Sequence, residues 1–237
     1  MARTFRLAVA QSEIVEDPAD VAALRASGAR LVQFPEGAIT YPHKRVMSVH
    51  GPERAGPAGC TSYRTPESWS GATTSGSCRT PSLRYLYTPG TEPLVVEIDG
   101  LRFGCALCIE VDFPELFAEY ERLDVDCVLV SVMVDDAARA TVAQAYGTLH
   151  SYWLGYSVPA QFAATVPAGI VAPGGRWIAR APSRAEPALA IADLEVSDGE
   201  VATAVRLARP WRRTARAGLY DDHVVVGDPR SEDHGSF

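Results

Sequence analysis

The chain reads as a layered α/β domain, with sheets covered by helices, on three observations. Apolar strand-like runs alternate with helical patterns through the first half. A strand-rich stretch follows in the second half. No internal repeat or long linker divides the 237 residues, so a single domain is expected over 1–237, with a C-terminal tail from about residue 207.

Each element has its own signal. "FRLAVAQSEI" is a buried first strand, rich in apolar residues. "DPADVAALRASGA" is a helix, with Asp17 as cap, Pro18 in the first turn and Gly28 near the end. "RLVQFPEGAITYP" is a strand that stops at Pro35, which leaves Glu36 at its C-terminal edge. "LVVEID" and "LRFGCALC" flank Asp99-Gly100, a two-residue hairpin signal. "FPELFAEYERL" places Phe113, Leu116, Phe117 and Tyr120 at helical spacing. "DVDCVLVSVMV" is a buried strand and "DDAARATVAQAYGTLHSYW" a helix. "SVPAQF", "AGIVAP" with "GGRWIARAP", and "ALAIADL" read as closing strands and a hairpin, and the tail from "ARPWRRTARAGLY" shows no core face. Residues 51–82 break the pattern: they are dense in Gly, Pro, Ser and Thr, without an apolar period. A structureless insert of ~30 residues does not fit a compact domain.

Composition removes several classes of function. A net charge of −7 disfavours nucleic acid or an anionic membrane as the main partner. No run approaches ~18 apolar residues, so no membrane span is expected. The N-terminus lacks a signal-peptide pattern, and five cysteines in that setting imply reduced thiols and a cytoplasmic location. His43, His50, His150, His223 and His234 are scattered without metal-ligand spacing, so no metal site is expected.

Cysteine chemistry carries the functional argument. In "FGCALCIE", Cys105 and Cys108 lie three apart, and strand alternation points them to opposite faces. That fits poorly with a shared disulfide or metal, although a thiol redox protein using Cys105 and Cys108 remains an alternative. Cys108 ends an apolar strand and is followed by a turn into "FPELF", which presents its side chain at the sheet's edge beside backbone amides. A thiol nucleophile needs a base, and its tetrahedral intermediate needs positive charge or N–H donors.

"LVQFPEGAITYP" together with "FGCALCIEVDFPELF" resembles the carbon–nitrogen hydrolase (nitrilase/amidase) superfamily. "LAVAQSEI", "YTPGTEP", "DVDCVLVS" and "APGGRWIARAP" extend the likeness over most of the chain. The resemblance implies a four-layer αββα sandwich, assembled as a homodimer or larger homo-oligomer and needing no cofactor. It also implies a Glu–Lys–Cys triad, with Glu36 as general base, Cys108 as nucleophile and the Ile109 N–H as an oxyanion donor. Glu92 matches the place of an auxiliary acid in many relatives, whereas Glu110 and Glu115 read as capping or ion-pair residues.

The triad lysine is where the sequence departs. "CRTPSLRYLYTPG" places Ser82 at its position, and the span from Glu36 to Cys108 is short for the family. Lys44, the one lysine of the chain, reads as solvated surface. With chosen GC-rich codons, reading "ESWSGATTSGSCRTPS" one base earlier yields a string that resembles the family's hairpin strand and recovers a lysine at residue 82. Residues from about Cys60 to Ser82 are therefore expected to be a frame-shifted reading, with sequence lost upstream. The function expected is hydrolysis of a small amide, carbamoyl compound or nitrile through a cysteine thioester. The alternative on the same fold is a catalytically impaired pseudo-enzyme without the lysine.

Overall fold

The computed structural model describes residues 4–12, 28–36, 62–64, 70–71, 93–195, 197 and 199–216. Two sheets form the core. The first has strand order β11-β1-β2-β3-β4, from β1 (Thr4–Gln11), β2 (Leu31–Gln33), β3 (Ser62–Arg64), β4 (Ser70–Gly71) and β11 (Ala188–Glu195). The second runs β10-β9-β8-β7-β6-β5, from β5 (Val95–Ile98), β6 (Leu101–Leu107), β7 (Cys127–Ser131), β8 (Trp153–Ser157), β9 (Gly169–Val171) and β10 (Trp177–Arg180). β1 and β2 are parallel to each other, as are β6, β7 and β8.

The sheets pack face to face as an α/β sandwich. Phe5 meets Phe103 at 5.1 Å between ring centres. Buried Gln33 crosses the interface, donating to the carbonyls of Val130 (2.8 Å) and Gly155 (3.2 Å). Ser131 Oγ donates to the Phe34 carbonyl and Ser157 Oγ to that of Ala10. These bonds sit at the C-terminal ends of the parallel strands in both sheets, so those ends lie together. In α/β sheets such carboxyl ends are where ligands bind.

Two helices cover the outer face of the second sheet, α1 (Pro114–Arg122) and α2 (Ala137–His150). Phe117 of α1 stacks on Tyr146 of α2 at 3.8 Å. The helix expected over 17–28 lies almost wholly outside the described residues. The Asp99-Gly100 hairpin forms as expected, both residues at positive φ (52° and 78°) between antiparallel β5 and β6.

Several expectations need correction. α2 ends at His150 rather than running through Trp153, because Ser151 takes a left-handed conformation (φ 53°) and redirects the chain. The next strand is therefore β8, Trp153–Ser157, and "SVPAQF" is its end plus a short 3-10 turn at Ala160–Phe162. Its aromatic residues Trp153 and Tyr156 are buried on the pleat, which reads locally like the end of an apolar helix. Within the segment expected to lack structure, β3 pairs antiparallel with β2 and β4 antiparallel with β3, extending the first sheet; the rest of 51–82 is outside the described residues.

The expected tail from about 207 is helical to Arg216. α3 (Gly199–Thr203), a π-helical turn (Ala204–Ala208) and α4 (Arg209–Arg216) follow one another without a break. Arg209 is buried at 5% exposure and donates to the Ser151 carbonyl at 2.6 Å, while Arg212 pairs with Glu121 at 3.5 Å. Glu121 also bonds His150 Nδ1 at 2.5 Å. Burial pushes the Glu121 carboxyl up, but the His150 hydrogen bond and the Arg212 charge outweigh it and hold it below its ordinary range. A buried ionic cluster thus takes the place of an apolar stripe, which is why hydrophobic periodicity missed this docking.

One contact makes the sheet–helix packing testable. A Cβ on Gly104 would lie 2.7 Å from ring atoms of Tyr120, whose hydroxyl is tied to the Cys105 N–H at 3.1 Å and its carbonyl at 2.5 Å. The ring cannot retreat without breaking those bonds. Gly104→Ala is expected to destabilise the domain by about 1–3 kcal/mol in urea unfolding. An unchanged midpoint would mean that α1 is not fixed by this contact.

Candidate active site

β6 ends at Leu107, and the chain turns at once into a 3-10 segment, Cys108–Asp112. Cys108 takes φ 41°, a left-handed conformation that ordinary side chains seldom adopt. Its neighbours hold it there. The buried Glu110 carboxylate, 4% exposed, reaches back and accepts the Leu107 N–H at 2.8 Å. The Val111 carbonyl accepts the Tyr146 hydroxyl at 3.1 Å, and Asp112 pairs with Arg139 in the first turn of α2. The thiol is thereby carried out of the strand and presented, half-buried, at the carboxyl edge of the sheet.

Glu36 follows β2 and approaches from the other sheet. The Cys108 thiol donates a hydrogen bond to its carboxylate. Burial, then the adjacent Glu36 charge, push the thiol up to about 12, although backbone N–H groups of Met133 and Ile109 favour the thiolate. Burial is also the main cause that lifts the Glu36 carboxyl above its ordinary range; the Cys108 hydrogen bond opposes this and the Glu110 charge adds to it. The result is a neutral thiol beside a carboxylate with a raised appetite for protons.

The structure thus brings together Glu36, Cys108 and Ile109. It places Cys105 in the buried interior of β6, apart from this edge, and gives Glu110 a structural task at the turn. Glu115 is exposed on α1. Ser82, Glu92 and Lys44 lie outside the described residues. Met133 and Tyr156 fall in "SVMV" and "GYSVPAQF", about which the sequence leads one to expect the pocket, but neither stands out individually, since a backbone amide carries no residue signal and Tyr156 reads as one more core aromatic. Among the described residues, no group of three or more His, Cys, Asp or Glu side chains could hold a metal. None of the described helices is long and apolar enough to cross a membrane.

The raised Glu36 carboxyl sets a stability test. The folded state holds that proton to a higher pH than the unfolded chain does, so this group's contribution is present at low pH. It is lost as pH rises through the folded value. Glu36→Gln removes the buried charge. Its melting temperature is expected to exceed the parent's at pH 8, with the gap closing near pH 4. A variant less stable than the parent at pH 8 would contradict the buried-charge account.

No protein-family model matches the chain. Two curated proteins of Mycobacterium tuberculosis, each named a hydrolase, are 40% identical over 42 residues, which is 18% of this chain and 15% of theirs. The match therefore spans well under a fifth of those relatives' length. Solved structures align over far more. An amidase of Nesterenkonia sp., described as belonging to the nitrilase superfamily, superposes as a cysteine-to-alanine variant with TM-score 0.66 and 18% identity, over 89% of this chain and 98% of that one. Its parent superposes at 0.65 and 20%, over 89% and 97%. The cysteine-to-alanine variant in complex with butyramide gives 0.64 and 18%, over 88% and 96%. With its two packed sheets and the helices laid on the second, the chain has the α/β sandwich fold of the nitrilase-superfamily amidases.

Proposed function

We propose that the protein hydrolyses a non-peptide C–N bond, in a small amide, carbamoyl compound or nitrile, through a thioester on Cys108. One observation carries this reading: a cysteine held at positive φ on a strand-end turn, its thiol hydrogen-bonded to a half-buried carboxylate from the facing sheet. The Nesterenkonia amidase adds support, since in a glutamate-to-leucine variant of it the acetamide moiety of fluoroacetamide is added covalently at the active-site cysteine. The proposed partners are a small-molecule substrate and further copies of the chain, in the cytoplasm.

The geometry suits the following chemistry on an amide. The Cys108 sulfur attacks the carbonyl carbon as its proton passes to Glu36, and the carbonyl π electrons move to oxygen. The Ile109 N–H meets that oxyanion. Collapse breaks the C–N bond, and the leaving amine takes the proton from Glu36. Water then attacks the thioester, giving its proton to Glu36, which returns it to the sulfur as the acid departs. With the thiol pushed up to about 12, on the order of one molecule in 10⁵ is thiolate at pH 7. The proton must therefore leave during attack, and a carboxylate with raised proton affinity is the better acceptor.

A specific residue favours the second reading, an impaired enzyme of the same fold: Ser82 stands where the resemblance calls for lysine. Loss of one oxyanion-stabilising group costs on the order of 10²–10³ in rate. Sequencing the gene across residues 51–90 decides whether that serine is genuine; an unambiguous frame ends the frameshift idea. The enzyme itself is tested with butyramide, following ammonia release and the intact mass. Acylation of Cys108, lost in Cys108→Ala and reduced ~10²–10⁴-fold in Glu36→Gln, is the expected outcome. A stable adduct without turnover, or a Cys108 that forms no adduct and releases no ammonia, supports the impaired member of the fold and contradicts the hydrolase.

A further inference from the structure

A second group faces the same edge. Tyr156 lies on β8 opposite Val130 of β7, which lies opposite Ala106 of β6. In-register neighbours share a face of the sheet. This is also the face of Gly104, where α1 lays the Tyr120 ring; Cys108 itself has left the strand's alternation, in the turn that follows the carboxyl end of β6. Tyr156 is thus two strands from the turn, at the carboxyl end of its own strand.

The ring is fixed and its hydroxyl is idle. Tyr156 is 0% exposed, and its ring meets that of Trp177 edge-on at 6.5 Å. Trp177 is in turn packed over Gly169, where a Cβ would come within 2.7 Å of its ring. Yet the Tyr156 hydroxyl has no hydrogen-bond partner among the described residues. Native proteins seldom leave a buried hydroxyl unpaired, and an exception calls for an explanation. Cys108, Asp136 and Arg139 are the charged or ionisable groups within its electrostatic reach. Burial first, then the nearness of Cys108, push the phenol upward, so it remains a neutral donor at any physiological pH.

We propose that Tyr156 is a substrate-binding residue of the Cys108 site, its hydroxyl donating to the oxygen that the substrate brings to the sulfur. This rests on the hydrolase reading and deepens it. A neutral donor costs far less to hold unpaired than a buried charge would, and its bond strengthens as that oxygen becomes anionic. In a chain with Ser82 at the lysine position, Tyr156 on one side and the Ile109 N–H on the other supply the oxygen with two donors.

The test uses the full-length protein and an aldehyde, whose addition to a thiol creates the same tetrahedral oxygen without a leaving group. Methyl methanethiosulfonate, which has no carbonyl, labels Cys108, and butyraldehyde protects it. The protection constant is measured against each protein's own rate without aldehyde. In Tyr156→Phe, butyraldehyde is expected to bind at least tenfold more weakly. Equal protection in both proteins overturns the role of Tyr156 and leaves the hydrolase reading standing. A wild-type thiol that labels but is never protected overturns both. Should the Phe variant melt early, the wild-type protein still decides: the aldehyde must produce a red-shifted tyrosine difference band, and its absence overturns the proposal.

Discussion

The site depends on one carboxylate at the turn that carries the thiol. Glu110 folds back onto the Leu107 N–H and, with Val111 and Asp112 anchored to α2, holds Cys108 at positive φ. In an extended conformation the thiol would continue the strand's alternation and be buried against its neighbours. A left-handed residue at a strand's end instead directs its side chain past the last hydrogen-bonded pair. The strain is local and is offset by burial and ion pairing a few residues downstream.

The sandwich supplies the other half of the geometry. Gln33, Ser131 and Ser157 each bond backbone across the sheet interface, near the carboxyl ends of the parallel strands. Polar side chains are an expensive way to join two sheets unless the register between them matters. Here the register sets where Glu36 arrives relative to Cys108. A slide of one residue would put the acid on the wrong side of the sulfur, so the interior hydrogen bonds and the proposed proton transfer share one constraint.

Much of this was legible in the sequence. Alternating apolar strands, the Asp-Gly hairpin and the α1 periodicity all read directly, because each is a local pattern with a local cause. The places of Glu36 and Cys108 at strand ends were legible because each follows an apolar strand and precedes a turn signal, whereas their roles rest on the resemblance to the carbon–nitrogen hydrolases. Three features were not. The end of α2 hides behind Ser151, a residue with no turn signature, followed by aromatic side chains that suit helix or strand equally. The docking of the C-terminal helix runs through Arg209, Arg212, Glu121 and His150, residues that ordinarily mark surface. Tyr156 looks like any core aromatic until its unpaired hydroxyl is seen, and hydrogen-bond satisfaction is a property of the folded molecule alone.

The central claim is that the Cys108 thiol and the Glu36 carboxyl share a proton in a buried setting. It is tested most directly by the rate of Cys108 alkylation with iodoacetamide from pH 6 to 10, in the parent and in Glu36→Gln. The negative charge and the hydrogen bond of Glu36 both hold the thiol protonated. Removing the charge should make the variant label faster throughout, its rate climbing at lower pH than the parent's. Superimposable curves would mean that the two groups do not interact, and the account would fail.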